Sequence, residues 1–318
     1  MVNKLFHTIL SRIFGGAIGM PSMAVVLTTI ITIPACTDLS QDPAIGREPV
    51  EFPGPNEYYN AIWGSSVNNI FVVGSNGTIL HNDGVEWIQM ETGIDITLTD
   101  VWGSASDNVY AIGSTGTTLH YDGKGWKPLQ IPATQNLTAI WGSAADNLFV
   151  ARSGASILHF DGTEWQSMAH PELEQINDIW GPSKDNVFAV SSDGVILHYD
   201  GSEWTSIASD FPPLYTIWGL SGESVYAVGS GGTMLHYNGT EWAKIDSKTK
   251  DGLYGIWGNS DNNIYAVGVN GTIMRYQGNV WREQPYVTRW NLTDIWGARN
   301  RIIVVGGYGT IQEFETGS

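Results

Sequence analysis

The dipeptide Trp-Gly occurs at 63, 102, 141, 180, 218, 257 and 296, and successive copies lie 39 residues apart except for one step of 38. A period near 40 residues marks a repeat architecture, in which each unit buries its apolar face on its neighbours. A second Trp follows the first six copies by 24 residues, at Trp87, Trp126, Trp165, Trp204, Trp242 and Trp281. An aromatic residue follows the same six by 8, at Phe71, Tyr110, Phe149, Phe188, Tyr226 and Tyr265. Thirteen of the 14 Trp therefore sit in repeat slots, where packing between units explains them.

One unit shows the local grammar. Residues 98–102 read as a strand closed by Gly103, and Asp107 with Asn108 makes a turn. Residues 109–112 form a second strand, and Gly113 and Gly116 bound a tight turn that needs positive φ. Residues 117–121 form a third strand, Asp122-Gly123 turns again, and Trp126 opens a fourth. Four short antiparallel strands per ~40 residues describe a β-propeller blade. Seven units predict an all-β, seven-bladed propeller over residues 47–318.

The turn Tyr121-Asp122-Gly123-Lys124-Gly125-Trp126 resembles the Asp-box of bacterial neuraminidase-type (BNR) repeats, with His120 at the usual leading Ser. The whole unit resembles the tandem repeats of the photosystem II assembly-factor and related bacterial propeller families, over residues 47–318. The resemblance implies a propeller and a binding role at a membrane; the Asp-box alone suggests a sialidase-type glycosidase as the alternative.

The seventh unit begins at Trp296, and its second Trp would fall near 320, past Ser318. At the other end, Pro49, Val50, Phe52 and Pro53 repeat the pattern of Pro128, Leu129, Ile131 and Pro132. Residues 48–53 are therefore expected to supply the outer strand of the last blade and close the ring, which removes an open edge.

The first residues read as an address. Lys4 and Arg12 precede an apolar stretch over 17–33, and Ile33-Pro34-Ala35-Cys36 resembles a bacterial lipobox. The resemblance implies a signal peptide over 1–35, a lipid on Cys36 and a tether over 36–46, which anchors an exported protein to the bacterial membrane, periplasmic or at the cell surface. Cys36 is the one cysteine, so neither an internal disulfide nor a cysteine zinc site is possible within the chain. With 15 Lys and Arg against 32 Asp and Glu, the net charge is -17, and it becomes -19 once Lys4 and Arg12 are removed. That balance opposes nucleic-acid binding. No cofactor is implied, and a monomer is expected.

Candidate site residues separate into repeat slots and departures. His81, His120, His159, His198 and His236 share one slot, filled by Arg275 and Glu313 in the last two units. Spread over blades, they suit structural hydrogen bonding better than a metal. Asp83, Asp122, Asp161, Asp200 and Asn238 hold a turn slot and are expected to bond their own turn. Two residues before Trp-Gly stand Asp100, Asp178 and Asp294, with small residues in the other units. Three carboxylates near the axis have the chemistry of a cation site, but a solvated channel asking for small side chains is preferred.

The departures carry more information. Trp290 is the one Trp off the pattern, and Arg275, Arg282, Arg289, Arg299 and Arg301 fall within 27 residues of one another. With Tyr286 they form the leading binding patch, because Trp, Tyr and Arg dominate interface energetics. Tyr286 among Arg275, Arg282 and Arg289 also imitates a sialidase nucleophile with its arginines. A second, weaker candidate is the stretch Phe211-Pro212-Pro213-Leu214-Tyr215. The reading preferred from sequence is a non-catalytic scaffold for a protein or glycan ligand.

Overall fold

The computed structural model describes residues 57–154, 156–170, 173–285 and 288–315. Twenty-seven strands lie in these residues, numbered β1 to β27 in chain order. The first blade is a four-stranded antiparallel meander of β1 (Tyr59–Ser66), β2 (Asn69–Gly74), β3 (Ile79–Asn82) and β4 (Trp87–Gln89). Five further blades repeat it, and the last holds three strands among the described residues. These are β25 (Leu292–Ala298), β26 (Arg301–Gly306) and β27 (Ile311–Glu315). The outer strand expected from residues 48–53 lies outside the described residues, as do Cys36 and its flanks.

The first strand of each blade is innermost. The seven inner strands are β1, β5 (Leu98–Ala105), β9 (Leu137–Ala144), β13 (Ile176–Ser183), β17 (Leu214–Ser221), β21 (Leu253–Ser260) and β25. Each touches the next, and β25 touches β1, so the ring is closed. The chain crosses the ring with every strand. One end therefore carries the interblade loops and the turns between second and third strands, here called the loop rim. The opposite end, the hairpin rim, carries the other two turns of each blade.

The Trp-Gly repeat has a direct physical cause. A Cβ placed on Gly103 would lie 2.6 Å from the Trp63 ring of the preceding blade. The same contact joins Gly142 to Trp102, Gly219 to Trp180 and Gly297 to Trp257 at 2.7–2.8 Å, and Gly181 to Trp141 at 3.2 Å. It closes the ring where Gly64 faces Trp296 at 2.7 Å, and the Trp296 indole N–H donates to the Gly64 carbonyl at 3.1 Å. Six of the seven indoles thus lie against the glycine of the following blade, where a methyl group does not fit; Gly258, in the blade after Trp218, is instead crowded by Ile264 and the Asn263 carbonyl. The second Trp binds the same interface further out. Phe71 meets Trp126 edge-on at 5.7 Å, and Phe149 meets Trp204 likewise at 6.1 Å. The second strands between these layers are almost wholly buried.

Overpacking a close contact costs about 1–3 kcal/mol. Gly103→Ala is expected to lower unfolding free energy by that amount in urea. Gly125→Ala, where a Cβ meets nothing within 4 Å, should change it by less than ~1 kcal/mol. Equal effects would refute the Trp-on-Gly contact as the cause of the repeat. Deleting residues 47–53 is expected to lower the melting temperature by several degrees, and an unchanged melting curve would remove that strand from the last blade.

Candidate functional site

The repeat slots resolve into fold chemistry. The His81, His120, His159 and His198 imidazole nitrogens Nε2 bond Asn69, Asn108, Asn147 and Asn186 on the neighbouring second strand, and His236 bonds Ser224. Each ring also faces the second-strand aromatic, as in Phe71–His81 and Tyr226–His236 at 4.4 Å. Burial holds all five below the usual histidine range. Arg275 takes the slot in blade six, donating from Nε to Asn263 at 3.1 Å and lying over Tyr265. In blade seven the slot becomes an ion pair, Glu313 with Arg301 at 2.8 Å. The turn acids accept from their own turns: Asp161 takes the N–H groups of Thr163 and Glu164, and Asp200 those of Ser202 and Glu203.

The three inner aspartates are latches between blades. Asp100, Asp178 and Asp294 each accept from the following residue's N–H at 2.7–2.8 Å. With the other oxygen they accept from Ile140, Ile217 and Ile62 of the next blade at 2.8–2.9 Å. They keep some surface toward the channel, yet the ring walls them in. Burial pushes Asp100 and Asp294 up to about 7 and raises Asp178, with the other axial carboxylates adding to Asp100 and Asp178. Among the described residues, no group of three or more His, Cys, Asp or Glu is arranged to hold a metal ion.

A depression of about 650 Å³ opens at the loop rim, where blades four to seven meet blade one. Tyr58, Tyr215, Tyr254, Trp290 and Tyr308 line it, with Arg289 and the amides of Asn177, Asn270 and Asn291. Trp290 stacks on Tyr308 at 3.8 Å, and Tyr308 leans on Tyr58 at 5.5 Å. Tyr215 and Tyr254 form a second tilted pair at 5.2 Å. Trp290, Tyr308 and Tyr58 are 44–46% exposed and are three of the six exposed large hydrophobic residues described. A hydrogen bond to Tyr308 raises the Tyr58 phenol above its ordinary range, and burial followed by Tyr215 raises that of Tyr254, so both keep their protons.

All five rings occupy slots that other blades fill differently. Three residues before Trp-Gly stand Asn60, Thr99, Thr138, Asn177 and Thr293, whose side chains donate to a carbonyl of the next inner strand at 2.6–2.8 Å. Tyr215 and Tyr254 stand there in blades five and six. Tyr308 occupies a left-handed turn position with φ 55°, where the first, second and sixth blades have Asn76, Thr115 and Asn270. A bulky residue is disfavoured there, and such strain collects at functional sites.

Of the residues singled out in sequence, Trp290 and Arg289 lie in this depression, and Tyr215 of the second candidate joins them. Tyr286 lies outside the described residues. Arg275 and Arg282 face each other across β23 (Ile273–Gln277) and β24 (Val280–Glu283), the outer half of blade six. Arg299 and Arg301 line a different depression, at the hairpin rim. The linear arginine cluster is thus divided between the two ends and the outer edge of the ring. Sequence reading missed Tyr58, Tyr254 and Tyr308, whose signal was a departure from a repeat slot.

No protein-family model and no curated protein matches the chain. Solved structures share the fold. YCF48 from Cyanidioschyzon merolae is 18% identical, with 84% of this chain and 98% of that one covered and a TM-score of 0.70. A structure of YCF48 bound to D1 peptide is 16% identical, covering 86% and 99%, at 0.71. A catalytically inactive virginiamycin B lyase from Staphylococcus aureus is 12% identical, covering 85% and 98%, at 0.75.

The latches make stability depend on pH. Folding raises the inner carboxyls from the ordinary 3.8 to about 7, so their contribution is full below pH ~4 and lost as pH rises through 7. The turn acids Asp161 and Asp200, held at about 2 by hydrogen bonds, contribute above pH ~4 and lose it only as pH falls toward 2. The five half-buried histidines, held below their ordinary 6.5, act in the opposite direction and lose stability as pH falls through that value. The latch is therefore read as a difference: the melting temperature of wild type minus that of Asp294→Asn is expected to grow from pH 8 to pH 5. A difference that is flat or shrinks across that range would contradict the assignment.

Proposed function

We propose that the chain is a non-catalytic binding scaffold of the bacterial cell envelope, anchored through a lipid on Cys36, which captures a segment of another protein at the loop rim. The convergence of five aromatic side chains from non-repeat slots carries this reading. The fold needs none of them there, and one sits in a strained backbone position. Trp and Tyr with an arginine beside them are the residue types that dominate binding energy. A YCF48 propeller of this shape binds the D1 peptide, which supports a protein segment as the ligand class.

The arginines favour capture over turnover. A sialidase-type centre gathers its arginines around one tyrosine, whereas here Arg289 stands at the loop rim, Arg275 and Arg282 on outer strands and Arg299 at the opposite end. Trp290→Ala is expected to weaken partner binding at least tenfold, a hot-spot effect. Arg299→Ala should leave it unchanged, and a sialoside should not be turned over. Equal affinity in wild type and Trp290→Ala, or turnover of the sialoside, would contradict the reading. Labelled palmitate should be incorporated in cells by wild type and lost in Cys36→Ser; equal labelling would remove the lipid anchor.

A further inference from the structure

We infer that the loop-rim depression recognises a proline-rich segment in the polyproline II conformation, an inference that rests on the protein-segment reading above. Three features of the lining point to this chemistry.

The first is relief. Tyr308 lies between Trp290 and Tyr58, inclined 23° to the first and 51° to the second. Tyr215 and Tyr254 are inclined at 41°. Rings set at such angles make ridges and clefts rather than one flat platform. A sugar ring stacks best on a flat face, whereas pyrrolidine rings projecting from a three-residue helical repeat seat between aromatic ridges.

The second is hydrogen-bond polarity. The described lining offers donors in the Arg289 guanidinium, the Trp290 indole and the phenols, and its side-chain acceptors are neutral amide and hydroxyl oxygens. Asn291 spends its amide oxygen on the Asn270 backbone N–H, which leaves its amide N–H groups for a ligand. Of the chain's 32 acidic residues, none lines the depression among the described residues. Sugar hydroxyls each bring a proton that needs an acceptor, and carboxylates are the strong acceptors. A polyproline II segment presents carbonyls with no internal partners, and its prolines have no N–H. Donor-rich lining without carboxylates complements that ligand.

The third is cost. Four of the rings are mounted on strand ends and a tight turn of a closed ring, and Trp290, in an interblade loop, is stacked on Tyr308; the rings touch one another within two groups, Trp290–Tyr308–Tyr58 and Tyr215–Tyr254. A preformed polyproline helix meeting a preformed surface loses little conformational freedom on binding.

The test is calorimetric titration of the full chain with twelve-residue peptides. One set has proline at every third position with varied neutral residues between. The control set replaces each proline with alanine or serine. A neutral hexasaccharide forms the third arm, and Trp290→Ala is titrated beside wild type. The inference expects proline-bearing peptides to bind at least tenfold more tightly than controls and to lose at least tenfold in Trp290→Ala. If both peptide sets bind equally and both lose affinity in Trp290→Ala, proline recognition is overturned while protein capture stands. If the saccharide alone binds, both this inference and the protein-segment reading fall. Absence of binding in every arm overturns proline recognition.

Discussion

The contact of a tryptophan ring with the glycine of the next blade is what the rest of the molecule depends on. An indole buries roughly 150–250 Å² and needs a flat, close neighbour to do so. Glycine supplies it, because a β-carbon at Gly64 or Gly103 would press into the ring at 2.6–2.7 Å. The residue that packs and the residue that yields space are adjacent in sequence, so each blade both covers and is covered. The step recurs at six of the seven junctions, and the ring leaves no terminal face because Trp296 reaches Gly64. The latches of Asp100, Asp178 and Asp294 reinforce the same junctions nearer the axis, at seats whose confinement works against their charge.

A ring built this way is tolerant at its rims. The strands and their interfaces use the repeat slots, while the loops that connect blades are answerable to little beyond reach. Tyr215 and Tyr254 stand where other blades place a side chain that bonds the neighbouring carbonyl. Blade five recovers an equivalent bond by moving it one residue on, to Thr216 and the Tyr254 carbonyl. Tyr308 sits in a conformation that suits Asn or Gly. These are places where the fold concedes something, and they adjoin one another.

Much of the architecture was legible because it is periodic. Trp-Gly spacing set blade number, Asp83, Asp122, Asp161 and Asp200 marked the third hairpin of the first four blades, and the histidine row declared itself by equal offset. The latch role of Asp294 was not legible, since its partner Ile62 is 232 residues away and the bond exists only when the ring closes. The arginine cluster misled for a related reason. A chain that crosses the ring with each strand sends Arg289 and Arg299, ten residues apart, to opposite ends. Trp290 was visible as an exception to the pattern. Tyr58, Tyr254 and Tyr308 are ordinary residues until each is compared with its counterparts in the other blades.

The division between repeat slots that build the ring and departures that bind can be measured in one variant. Tyr215→Thr, Tyr254→Thr and Tyr308→Asn, combined, return three rim positions to residues other blades use. If the rim aromatics serve recognition alone, the melting temperature of this triple variant equals or exceeds that of wild type. A fall of several degrees, comparable with loss of a repeat-slot tryptophan, would show that the rim aromatics hold the ring together and would contradict the division.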